Sequence, residues 1–155
     1  GEASMLWACM VGGKIGLVTI DPIFVPFHEE QIRRYGLGER VTRVAAIETN
    51  VAEFMQAFEE SEAFERVREQ FEAQTRPLVA EGADVIIPAG GLPTLLFMRE
   101  RGFAIGDATV LNGIAVLARQ VEAAARLAEL TGCVASRAGL FAKAPQRAID
   151  DLFEL

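Results

Sequence analysis

The sequence predicts an α/β fold built on a parallel, doubly wound sheet, and three observations carry that prediction. Val85-Ile86-Ile87 is an apolar β-branched run, too short for a helix, between Gly82 and Pro88, as expected of a strand buried on both faces. Ala89-Gly90-Gly91 follows, and then a helical stretch with Pro93 in its first turn. The same alternation of strand, turn and helix recurs along the chain, and repeated βα units imply parallel strands with right-handed crossovers.

Taken in order, a helix is expected over 3–11, stopped by Gly12-Gly13. A strand over 14–20 ends at Asp21-Pro22. An amphipathic helix over 26–35 follows, with Val25, His28, Ile32 and Tyr35 on one face and Gly36 past its end. The run 41–47 reads as a second strand, and 51–59 and 64–81 as helices. Phe64, Val67, Phe71 and Leu78 form the inner stripe of the longer one, and Pro77 within it should kink or restart it. The strand over 84–87 precedes a helix over 94–101, and 109–111 is a short strand. A long helix over 114–130 should turn Ile114, Leu117, Val121, Ala124 and Ala128 inward and close at Gly132. The tail after Cys133 carries Pro145 and a short helical end.

A chain of 155 residues with 51% hydrophobic content can bury a real core as one domain. Its net charge of −7 argues against nucleic acid and anionic membrane as partners, since both call for basic patches. No apolar run approaches the length of a membrane span. The apolar run 3–11 follows Glu2 rather than a basic segment, which makes it a poor secretion signal. Two cysteines, Cys9 and Cys133, do not form a disulfide framework, so a cytoplasmic chain with reduced thiols is expected.

Open α/β sheets hold ligands at the carboxyl ends of their strands, which draws attention to Ala89-Gly90-Gly91. Two glycines let a ligand approach the backbone, and free N–H groups at a helix start favour an anion such as a carboxylate. A tight βα turn without a ligand fits the same residues equally well. Asp21 lies at the same sheet edge as Ala89 and could serve as acid or base there, although an Asp-Pro turn is the preferred reading. Thr19 at a strand end could donate to a substrate oxygen or be a plain β-branched strand residue. His28, the one histidine, shares a face with apolar residues and is expected to be half-buried on the core rim. Asn112 either faces the cleft or caps the long helix. No His, Cys, Asp or Glu cluster has metal-ligand spacing.

Ile15-Gly-Leu-Val-Thr19, then Val25-Pro26 and Glu29-Glu-Gln-Ile-Arg-Arg-Tyr-Gly-Leu37, resemble the second lobe of the aspartate/glutamate/hydantoin racemase family, hydantoin racemases in particular. Gly82-Ala-Asp-Val-Ile-Ile87 occupies the place of that family's second-lobe catalytic strand. Val110-Leu-Asn-Gly113 resembles its Val-Ile-Asp-Gly segment, and Ser136 to Pro145 its tail. The resemblance implies a cofactor-independent racemase with two α/β lobes around a cleft, where two cysteines on opposite sides of an acidic Cα–H remove and return the proton. Hydrogen bonds onto carboxylate or imide oxygens must stabilise the carbanion, and a thiolate at a helix start has a suitably lowered pKa.

The sequence departs from that pattern in two places. The position of the family's second-lobe cysteine is Ala89, which cannot exchange a proton. Most of a first lobe is absent, so the chain is expected to be the carboxyl-terminal portion of a longer member. Residues 1–13 would then be a helix entering from the first lobe, 14–132 the second lobe and 133–155 the tail. Cys9 lies mid-helix and Cys133 far from any strand end, so neither is expected to replace the missing thiols. The expected substrate is a small carboxylate or cyclic ureide, held by Thr19, Gly90 and Gly91, with Asn112 nearby and Asp21 as an acid or base. The alternatives are a one-base lyase resembling arylmalonate decarboxylase and a non-catalytic binding lobe. Apolar surface left where a first lobe packs would favour homo-oligomers or instability.

Overall fold

The structure, a computed structural model, describes residues 1–153. They fall into two compact units, Gly1–Arg119 and Gln120–Leu155.

The first unit is the sheet and the helices against it. Helix α1 (Glu2–Val11) leads into β1 (Ile15–Thr19), a 3-10 turn (Pro22–Phe24), α2 (Val25–Arg34) and β2 (Val41–Ala46). Next come α3 (Val51–Gln56), α4 (Ser61–Ala80), β3 (Val85–Ala89) and α5 (Gly91–Phe97). Two short strands, β4 (Ala104–Ile105) and β5 (Ala108–Val110), precede α6 (Gly113–Thr131), which runs on into the second unit. There a second 3-10 turn (Gly139–Phe141) and α7 (Gln146–Phe153) follow. Among the described residues no helix is long and apolar enough to cross a membrane.

The strand order is β2-β1-β3-β5-β4. β1 pairs in parallel with β2 and β3, and β3 with β5, so the expected parallel, doubly wound sheet is present. The departure is β4, antiparallel to β5 across a tight turn at Gly106, whose φ of 60° suits glycine. A two-residue strand leaves no periodic signal, which is why the sequence did not announce it.

Every residue of β1 and β3 is buried, and alternate side chains feed two cores. On one face Ile15, Leu17, Val85 and Ile87 meet Met5 and Ala8 of α1 and Ile32 of α2. On the other, Val18 and Ile86 meet Val67, Phe71 and Leu78 of α4 and Leu96 and Phe97 of α5. Strand β2 serves both cores by slipping one residue between the pairs Ile15↔Val41 and Leu17↔Val44, a bulge that re-aims its side chains.

Three expectations need correction. α4 does not restart at Pro77; it continues to Ala80 because Phe71, Thr75 and Leu78 hold both sides of the proline on the core. β3 extends beyond Ile87 through Pro88 and Ala89. Its last pair with β5 is Ile86↔Val110, so the missing Pro88 N–H falls where no strand needs it. In α6 the buried residues are Gly113 and Val116, while Leu117 and Val121 of the expected inner stripe are 54% and 61% exposed. Periodicity identifies an apolar stripe without saying what covers it.

The amino-terminal edge of the sheet is tied by one carboxylate. Asp84 accepts from Gly13 N at 2.8 Å and Lys14 N at 2.9 Å. The Gly13 bond foremost, then the Lys14 bond and nearby Arg40, hold its pKa below the usual carboxylate value, against desolvation, which raises it. Arg40 donates to the carbonyls of Cys9, Gly12 and Gly13, satisfying the end of α1. Gly12 is forced by contact: a Cβ there would lie 2.3 Å from Val85 Cγ2 and 2.6 Å from Asp84 Oδ1.

Gly12→Ala should therefore lose about 1–3 kcal/mol in urea unfolding, from overpacking against β3. Asp84→Asn tests the carboxylate. A depressed folded-state pKa stabilises above the unfolded value and loses that contribution as pH falls through the folded one. The wild-type advantage over Asp84→Asn should be full at neutral pH and shrink in acid; an advantage independent of pH would contradict this account.

Candidate functional site

The site follows from the strand order. The chain leaves β1 for β2 on one side, while β3 and β5 lie on the other, so β1 and β3 flank the switch point beyond whose carboxyl ends α/β sheets open a crevice. Their register places Thr19 opposite Ala89 at that edge. Both are buried, at 2% and 4% exposure.

Gly90 carries the chain from β3 into α5 with φ 118° and ψ 164°, a conformation closed to other residue types without strain. The Thr94 hydroxyl lies 2.8 Å from both the Pro88 and Gly90 carbonyl oxygens and donates across the turn. Strand end and helix start are thus locked together by contacts that do not use the side chain at position 89.

Two adjoining cavities open above this edge. One, of about 250 Å³, is walled by Met5, Leu17, Gln31, Ile87 and Leu117. The other, of about 290 Å³, is walled by Thr19, Ile20, Phe24, Leu92 and Pro93. Phe27, His28, Ala89, Gly90 and Gly91 line both. The surface is mostly apolar with a few convergent polar groups, as in small-ligand sites.

His28 is the feature that the sequence reading undervalued. It is buried rather than half-buried, at 7% exposure, and forms part of both cavity walls. Its Nδ1 lies 3.3 Å from Gln31 Oε1, and Phe27 packs edge-on with ring centroids 5.4 Å apart. Burial lowers its pKa below the ordinary histidine value, and the Gln31 hydrogen bond opposes this. With Gln31 Oε1 as acceptor, Nδ1 carries the proton of the neutral ring and Nε2 is the basic nitrogen. A positional signal was present. α2 begins just beyond the carboxyl end of β1, so its first turn, residues 25–28, returns to the edge that holds Thr19.

The other candidates distribute as follows. Thr19, Ala89, Gly90 and Gly91 come together in the cavity walls. Asp21 is not among the lining residues; its carboxylate accepts from Ile23 N at 2.8 Å and caps the 3-10 turn. Asn112 accepts from Ala115 N at 3.0 Å, the capping role of its two alternatives. Cys9 is partly buried and Cys133 exposed, and neither lines either of these two cavities. Among the described residues no group of three or more His, Cys, Asp or Glu could hold a metal ion.

Comparison with solved structures finds the same fold in two allantoin racemases. That from Pseudomonas fluorescens superposes with a TM-score of 0.70 at 21% identity over 92% of this chain. That from Klebsiella pneumoniae gives 0.69 at 23% identity over 93%. The chain spans little more than half of either protein, 56% and 54% respectively. A search of the curated proteins found no match. The family model for Asp/Glu/hydantoin racemases matches residues 1–121, most of the chain, and the chain therefore belongs to the Asp/Glu/hydantoin racemase family.

Proposed function

We propose that the edge beyond β1 and β3 is the substrate-holding wall of a cofactor-independent racemase or isomerase. In this reading the enzyme moves the Cα proton of a small carboxylate or cyclic ureide, an amino acid or a 5-substituted hydantoin. The observation that carries it is the pairing of Thr19 with Ala89 at the switch point, at the cavities that Gly90 and Gly91 line. Family membership supports proton transfer at Cα, and the allantoin racemases of like fold support the cyclic-ureide side of the substrate range.

The chemistry sets the requirement. Removing a Cα proton leaves negative charge that spreads onto an adjacent carbonyl oxygen, so the wall must present donors to that oxygen in a water-poor setting. The Thr19 hydroxyl and the Gly90 and Gly91 N–H groups are the donors assigned to this task, and the apolar walls strengthen their field. Ala89 offers a methyl group at the position where the family resemblance places a thiol. That substitution favours a second reading, proton transfer on one face only, as in a decarboxylating lyase, or a lobe that binds without turnover.

Cα–H exchange in heavy water distinguishes these readings by proton NMR. Allantoin, a 5-substituted hydantoin and aspartate are the test substrates. The proposal expects loss of the Cα–H signal for at least one of them, and faster loss in Ala89→Cys. Binding without exchange would identify a binding lobe. An Ala89→Cys variant that gains no exchange would show that position 89 does not face the reacting carbon.

A further inference from the structure

We propose that His28 is the proton-transfer group of this cleft: that its Nε2 removes the acidic Cα proton of the bound substrate and returns one to the same face. The inference rests on the function proposed above and assigns to this chain the base that Ala89 cannot be. It stands on the composition of the cavity walls. Among the residues lining the two cavities, His28 is the one ionisable side chain, and it lines both. The rest of the lining is apolar side chains, glycine backbone, the hydroxyls of Ser4, Thr19 and Thr94, and the Gln31 amide.

The surroundings suit a base. The Gln31 bond fixes the ring so that Nδ1 donates, leaving Nε2 with its lone pair. Phe27 packs edge-on against the ring. Among the described residues no charged side chain of α1, β1, β3, α5 or α6 lines either cavity, and the neighbours on α2 itself, Glu29 and Glu30, are exposed. Burial lowers the pKa of the imidazole and so favours its neutral form, the one that can accept a proton.

The step balances without a further reactant. The Cα–H bond breaks and its proton goes to Nε2. The electron pair stays on the carbon and spreads to the carbonyl oxygen, held by the backbone donors. The imidazolium Nε2–H then returns a proton, or a deuteron after exchange with solvent, to the same face. One base on one face predicts exchange with retained configuration; inversion needs a second group on the opposite face.

Because the chain has one histidine, its imidazole Hε1 gives a single resonance to follow. The first measurement is that resonance in the wild-type protein, titrated with unsubstituted hydantoin and then with pH. Saturating hydantoin should shift the signal and its midpoint, and an unmoved signal at saturation overturns the proposal. The second is exchange of a single enantiomer of a 5-substituted hydantoin in heavy water. The rate should rise with pH along the deprotonation of that imidazole. His28→Asn should lower it about 100-fold or more with affinity little changed, and added imidazole should restore part of the rate in His28→Ala. His28→Asn exchanging at the wild-type rate overturns the role of His28 and leaves the function reading intact. A wild-type protein that binds hydantoin yet never exchanges it overturns both.

Discussion

The parallel pairing of β1 with β3 is the constraint on which the rest of the structure depends. Five consecutive pairs run from Ile15↔Val85 to Thr19↔Ala89, and all ten residues are buried. With both faces covered, a slip of one residue would send every apolar side chain to the wrong core and separate Thr19 from Ala89. Gly16 shows how closely the layers meet: a Cβ there would come within 2.9 Å of both Leu78 and Ile86. The register that fills the cores is therefore the register that assembles the site.

What is legible in the sequence follows from the range of each interaction. Short, continuous apolar runs identify the buried strands β1 and β3, and apolar residues at helical spacing the helices α2, α4 and α6, because burial forces the composition that marks them. Asp21-Pro22 and Asn112 are local devices, and the structure gives each its short-range capping bond. Pro88 misleads, because whether a strand tolerates proline depends on where its neighbour stops, a tertiary fact. The stripe of α6 misleads for a related reason: Leu117 and Val121 have helical spacing but stand exposed.

The site divides along the same line. The place of Thr19, Gly90 and Gly91 in the cavity walls is readable because strand ends and glycine turns are written into adjacent residues. His28 is not, because its helical face looks like a core face. Ile32, one turn on, does belong to the core with Ile15 and Leu17. The difference between a core histidine and a cavity histidine lies in what stands opposite, and that is Ala89 and Gly90, some sixty positions away in the chain.

Position 89 shows why a methyl group can stand there without dismantling the site. The turn that follows is held by the conformation of Gly90 and by the Thr94 hydroxyl between two backbone carbonyls. None of these contacts involves the residue 89 side chain, so the backbone that faces the cavity is independent of it. Under the proposed function, binding and proton transfer would be separable at this edge, the first assigned to the strand ends and their glycines, the second to a side chain that reaches the same space. α2 starts immediately beyond β1 and delivers its first turn there. On that proposal the backbone lining the cavities would stay the same whichever side chain carried the proton.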